Sequence, residues 1–272
     1  MPEAKVGEIK IYYEIHGKGE PLVIIPGLAG TLAYYFRLIP GLAEKYRVIA
    51  LDHRGSGLSD KPDITYSIQM MADDVVGLLN VLGVDKAHVF GHTLGGMIAQ
   101  HIALRYPENT ISLILVCTSC GGKHALPPDQ EYIALIADMH RRSQQTREET
   151  IREQLPFLFS QEFIDNSPDL IEYFISLYIT YSPPLHGYIR QMEAIFTHDT
   201  YDLLDAIKIP TLVIAGGADR LQPVENSRVL ASRIPNAELK IMEGMSHFLG
   251  IEGAESLNKV ILDFLRLHPK SA

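Results

Sequence analysis

The chain contains no tryptophan, only two cysteines and no apolar run approaching the length of a membrane span. Each shortage excludes something. Without tryptophan there is no indole N–H to stabilise a halide leaving group. A transmembrane helix needs about 18 consecutive apolar residues, so no membrane partner is expected. The cysteines, Cys117 and Cys120, are spaced CxxC. A structural zinc site takes four ligands, and no second pair completes one. A redox pair opens a helix, whereas this pair trails off an apolar run, so it reads as two reduced thiols at a strand end. No phosphate loop, dinucleotide fingerprint or metal cluster is legible, and no cofactor is expected. Basic residues are also few: 24 against 33 acidic ones give a formal charge of −9, which disfavours nucleic acid as a partner. The opening MPEAKVGEIKIYYEIHG lacks a basic-then-apolar signal pattern, and a cytoplasmic location is expected.

What is present reads as a large globular protein, 272 residues with 46% apolar and 21% charged. Residues 5–16 alternate, with Val6, Ile9, Ile11, Tyr13 and Ile15 mostly on one parity, as in a half-exposed antiparallel strand. Dense apolar runs follow at 22–25, 46–51, 87–90, 113–116, 211–215 and 237–242, the pattern of strands buried on both faces. Helical patterns lie between them. Ser67 caps a stretch in which Ile68, Met71, Val75, Leu78 and Leu82 share a face up to Gly83. Residues 97–106 read as a helix stopped by Pro107, and Leu257, Val260, Ile261 and Phe264 share another face. The alternation implies a mostly parallel, doubly wound sheet of about eight strands. It breaks over 122–207, too long for one crossover and wholly helical in pattern, which predicts a cap inserted into a core of 1–121 and 208–272. Within it Tyr132, Leu135, Ile136 and Met139 share a face, the charged run 140–153 reads as a solvated helix face, and Ser167-Pro168 opens a helix ended by Pro183-Pro184.

The chemistry concentrates where strands end. Gly91-His-Thr93-Leu-Gly95 sits between a buried strand and a helix, the context of a nucleophile elbow. Such a turn lifts one side chain, here Thr93, above the sheet, and the following helix offers free N–H groups to a developing anion. Pro26-Gly-Leu-Ala-Gly30 follows the first buried strand, either a plain glycine turn or a loop placing the Leu28 N–H opposite that of Leu94. Asp219 and His247 each follow a later strand, in the chain order nucleophile, acid, base. His247 can take the nucleophile's proton while Asp219 fixes its tautomer. Asp52 to Asp60 reads as a structural loop. His92 belongs to the elbow and is a candidate for the substrate pocket, and His124, His140, His186 and His198 read as surface or pocket wall. Phe157, Phe159, Phe174, Tyr178 and Tyr181 are candidates either for an apolar substrate pocket or for cap-to-core packing.

These residues resemble the α/β-hydrolase family across essentially the whole chain, most nearly its small capped enol-lactonases, esterases and proline-iminopeptidase-like enzymes. GHTLGG resembles GHSxGG, PGLAG resembles HGxxG, and DHRGSGLSD resembles DxRGxGxS. The resemblance implies a triad of Thr93, Asp219 and His247, with Leu28 and Leu94 as oxyanion donors and a small-molecule ester or lactone as substrate. Pro26 departs from the usual histidine at a structural position. Thr93 departs from serine, and that matters more, because β-branching restricts χ1 in an already strained turn and crowds the attacking oxygen. Three readings stay open: a working threonine nucleophile, a serine enzyme altered at this position to blunt turnover, or a site turned to binding or non-covalent lyase chemistry. Dehalogenases and epoxide hydrolases of this fold are excluded, since they need a carboxylate at position 93.

Overall fold

The computed structural model describes residues 2–137 and 145–270. Eight strands form one sheet: β1 (Glu3–Val6), β2 (Ile9–His16), β3 (Pro21–Ile25), β4 (Arg47–Leu51), β5 (Ala87–His92), β6 (Thr110–Val116), β7 (Thr211–Gly216) and β8 (Ala237–Met242). Their spatial order is β1-β2-β4-β3-β5-β6-β7-β8. β2 pairs antiparallel with β1 and β4, and every later pairing is parallel. The alternating segment 5–16 is thus not one strand. It holds the end of β1, a turn at Gly7 with a positive φ of 56°, and the whole of β2, paired as a hairpin.

The dense apolar runs have the expected cause. In β3, Val23 and Ile25 enter a core beneath one face of the sheet, while Leu22 and Ile24 enter a second core on the other. Helices cover both faces: α1 (Ile39–Ala43), α2 (Ile68–Val81), α3 (Leu94–Arg105), and, after the cap, α9 (Val224–Arg233), α10 (Leu249–Glu252) and α11 (Ala254–Leu267). Ser67 caps α2 by accepting from the Met70 N–H at 3.1 Å. The helix expected from residue 97 begins earlier, at Leu94, directly after Thr93. Asp52 holds its loop from inside, accepting from the N–H groups of Leu32 at 2.7 Å and Leu58 at 2.8 Å.

Between β6 and β7 the described cap is helical: α4 (Gln130–Ala137), α5 (Arg147–Leu158), α6 (Gln161–Asn166), α7 (Pro168–Tyr181) and α8 (Leu185–Phe196). Met139 and His140 lie outside the described residues. The described part of the charged run does form an exposed face, with Arg152 bridging Glu148 and Glu172 at 2.8 Å each. The cap's two ends are pinched together where the Thr200 N–H donates to Cys120 O at 2.8 Å and the Gly122 N–H to His198 O at 2.9 Å. Among the described residues no helix is long and apolar enough to cross a membrane.

Candidate active site

Thr93 sits at the tip of the turn from β5 into α3, with φ 49° and ψ −112°. That region strains any residue bearing a Cβ, and the surroundings hold it there. The Thr93 N–H donates to Val116 O at 2.9 Å, and Thr93 O accepts from the Thr118 hydroxyl at 2.7 Å. The glycines of the elbow are required by close approach: a Cβ at Gly91 would lie 2.2 Å from Gly95 O, and one at Gly95 would lie 2.0 Å from Ile25 O.

His247 follows β8 and Asp219 follows β7, and the sheet's order brings them together although they are 28 residues apart. His247 Nδ1 lies 2.8 Å from Asp219 Oδ2, both side chains being buried. A carboxylate only accepts, so Nδ1 carries a proton and Nε2 is the ring nitrogen able to take up another. Asp219 Oδ1 is satisfied separately by the N–H groups of Leu221 at 2.8 Å and Gln222 at 2.9 Å. Burial alone would raise this carboxyl. The His247 ring and those two N–H groups outweigh it and hold Asp219 below its ordinary range, so it is ionised at neutral pH.

His92 packs beside His247, ring centroids 4.8 Å apart. Burial, then repulsion from any charge on the neighbouring His247 ring, pushes it down to about 3, so it is neutral and donates from Nε2 to His247 O at 3.0 Å. His92, Cys117 and His247 place their donor atoms within 4.8 Å of one another. They do not suit a metal. Nδ1 of His247 is committed to Asp219, and burial, reinforced by the Asp219 charge, pushes the Cys117 thiol far up, whereas a metal takes a thiolate.

Leu28 follows β3 and Leu94 is the first residue of α3. Among the described residues neither N–H finds an acceptor, so both remain available as donors; Leu28 lines the cavity below the cap and Leu94 does not. Thr93, Leu28, His92 and His247 line a cavity of about 870 Å³ under the cap. Phe174 and Tyr178 form part of its wall; Phe157, Phe159 and Tyr181 do not. Phe159 stacks on Phe163 and meets Phe174 edge to face, and Phe157 lies under the Arg220 guanidinium. Their backbone neighbourhood ties the cap to the His247 loop: the Phe248 N–H donates to Leu158 O at 3.0 Å and the Ser246 hydroxyl to Phe157 O at 3.4 Å.

Two contributors carry no local sequence signal. Glu252 accepts from the Ser246 N–H at 3.0 Å and so braces the loop bearing His247. Gln191, on α8, accepts from the Ala29 N–H at 2.9 Å across a separation of 162 residues. The Thr93 hydroxyl itself has no hydrogen-bond partner among the described residues, an open geometry common in sites without a substrate.

Comparison with known proteins agrees with this architecture. The chain is 30% identical over 261 residues to "Putative carbamate hydrolase RutD" of Stutzerimonas stutzeri (strain A1501), covering 94% of this chain and 96% of that protein. A thermophilic esterase from Thermogutta terrifontis superposes with a TM-score of 0.86 at 26% identity, covering 99% of this chain and 100% of the other. Est816, described as an N-acyl homoserine lactone degrading enzyme, gives a TM-score of 0.84 at 29% identity, covering 97% and 100%. The family model for the alpha/beta hydrolase fold matches residues 20–254, and the chain belongs to that family.

Proposed function

We propose that this protein hydrolyses a carboxylic ester or lactone, with Thr93 as nucleophile. The observation that carries the reading is His247, oriented by a buried, ionised Asp219 at 2.8 Å and facing the same cavity as Thr93. In the reaction Thr93 Oγ1 adds to the substrate carbonyl carbon and its proton passes to His247 Nε2. The Leu28 and Leu94 N–H groups receive the charge that develops on the carbonyl oxygen. Collapse breaks the bond to the alcohol oxygen, which leaves with the proton from His247. Water, deprotonated by His247, then releases the acid and restores Thr93.

The cavity favours an ester or lactone with a sizeable apolar group over a carbamate, the substrate in the RutD name. About 870 Å³, walled by residues such as Leu126, Ile136, Phe174 and Ile195, would leave a carbamate almost unheld. One observation favours a second reading, a hydrolase scaffold blunted at its nucleophile. The Thr93 methyl fills the space that Gly27 leaves free, 2.0 Å from where a Cβ there would lie, so it sits against the loop that carries Leu28. Crowding that displaces the attacking oxygen by an ångström costs on the order of a hundredfold in rate.

Hydrolysis of p-nitrophenyl butyrate by the native protein, Thr93→Ser and His247→Ala separates these. Turnover by the native form that is lost in His247→Ala supports the threonine nucleophile. Turnover by Thr93→Ser alone supports the blunted site. No turnover by any form refutes ester hydrolysis and leaves binding or non-hydrolytic chemistry.

A further inference from the structure

Gln191 belongs to cap helix α8, yet its side chain is spent entirely on the core and has no exposed surface. Its Oε1 accepts from the Ala29 N–H at 2.9 Å. Its Nε2 donates to Arg54 O and Ser56 Oγ, both at 2.9 Å, and faces His53 Nδ1 at 3.2 Å. Burial holds His53 below its ordinary range, so the ring is neutral and has one N–H to give. Gly27 O, 2.9 Å from Nε2, can only accept. Nδ1 also faces Arg54 O at 3.2 Å, so the shorter bond to Gly27 O decides for a proton on Nε2, and Nδ1 then shares the two Gln191 Nε2 protons with Arg54 O and Ser56 Oγ.

These bonds end on the two residues flanking Leu28. A trans peptide is planar, with its C=O and N–H pointing in opposite directions. Drawing Gly27 O towards His53 therefore turns the N–H of the same peptide unit, that of Leu28, the other way. Leu28 and Ala29 line the cavity. Ala29 itself is held at a positive φ of 54°, which an alanine does not keep unaided, and its N–H is the one Gln191 binds. The seat of α8 is independently close-fitting: a Cβ at Gly187 would lie 2.7 Å from Gly55 O.

We infer that Gln191 is a positioning residue through which the cap sets the Leu28 N–H, so that the oxyanion hole is complete only while α8 is seated on the core. The inference rests on the acyl-transfer reading above. It makes a cap side chain, remote from the reacting atoms, a determinant of kcat rather than of substrate affinity.

The test is steady-state hydrolysis of p-nitrophenyl butyrate between pH 5 and 9 by Gln191→Leu and Gln191→Glu, each in the native protein and in Thr93→Ser, with melting temperatures recorded. Gln191→Leu should lower kcat by about 10- to 100-fold, part of what loss of an oxyanion donor costs, with KM changed less than about threefold. Gln191→Glu keeps the acceptor for Ala29 but can donate to Arg54 O only when protonated. Its kcat relative to the parent should therefore rise as pH falls, a signature that a merely structural role does not produce and that survives if Gln191→Leu fails to fold. If the parents turn over and both variants keep kcat within about twofold, or lose only KM, the inference is wrong while ester hydrolysis stands. If neither parent turns over, both readings fall together.

Discussion

Replacing Gly27 with alanine asks what makes position 27 intolerant of a side chain. Gly27 is not among the residues with positive φ, so alanine meets no backbone penalty there. A Cβ would lie 2.0 Å from Thr93 Cγ2, whereas its next neighbours are His92 O at 3.4 Å and Thr93 Cβ at 3.5 Å. Only the methyl is in conflict. Relief requires either a shift of the loop or a change of χ1 at Thr93, which β-branching resists. Overpacking of this kind costs about 1–3 kcal/mol. At about 2–4 °C per kcal/mol for a chain of this size, Gly27→Ala should lower Tm by about 2–12 °C. Thr93→Ser removes the methyl, and in that background the alanine should cost less than about 0.5 kcal/mol, an ordinary small substitution. Urea unfolding of the four proteins closes the cycle, with an expected coupling of about 1 kcal/mol or more. The same cycle on kcat should show the larger loss in the threonine background, since the displaced loop carries Leu28. Equal costs in the two backgrounds would refute the argument and place the constraint in the loop backbone.

Three further outcomes are expected. Asp219→Asn should cost about 10³- to 10⁴-fold in kcat, because an amide at 219 can donate to His247 Nδ1 and so favours the wrong tautomer; a loss below tenfold would show that Asp219 does not orient the base. Burial pushes His101 down to about 4 and His198 to about 3, each lowered further by a neighbouring charge. The unfolded chain takes up these protons near pH 6.5 while the folded one does not, so stability is full above that pH and falls below it by up to about 1.4 kcal/mol per pH unit for each histidine; His198→Leu should flatten the slope between pH 6.5 and 4, and an unchanged slope would count against the assignment. Burial also pushes the Cys120 thiol up to about 11 and Cys117 higher still, so a thiol reagent at pH 8 should label neither until denaturant is added, and rapid labelling of the native protein would contradict their placement.

What was legible in the sequence follows from how local each feature is. The turn after β5, the apolar runs and the proline and serine caps are short-range, and they suffice to place Thr93, Asp219 and His247 at strand ends. Parallel order then brings those ends to one edge, so the grouping of the three follows once strands and helices alternate. The hairpin β1–β2 was hidden because a two-residue turn keeps the parity of an alternating run. The aromatic residues of the cap divided unpredictably for a similar reason: Phe174 and Tyr178 reach the cavity, while Phe157 lies under Arg220 and Phe159 packs against Phe163, Phe174 and Phe248. Periodicity tells which residues share a helix face but not what that face meets. Gln191 and Glu252 gave no signal at all, since a polar residue in a helix reads as solvent-facing until its partner, 162 residues away for Gln191 and Ala29, is known.

The two halves of the site are held by different parts of the molecule. Strand ends and the Asp219 carboxylate fix Thr93 and His247. The cap is bonded both to the loop bearing His247, through Leu158 O and Phe248 N–H at 3.0 Å, and to the loop bearing Leu28, through Gln191. A cap so attached is more than a wall that selects substrates. Substitutions that reshape the cavity by moving α5 or α8 also move the groups that hold His247 and the Leu28 N–H, where, on the proposed mechanism, shifts below an ångström are costly. Changes of specificity made on these two helices should therefore carry losses in kcat, whereas changes at the α4 wall, for example at Ile133 or Ile136, should alter substrate preference with kcat on the best substrate retained.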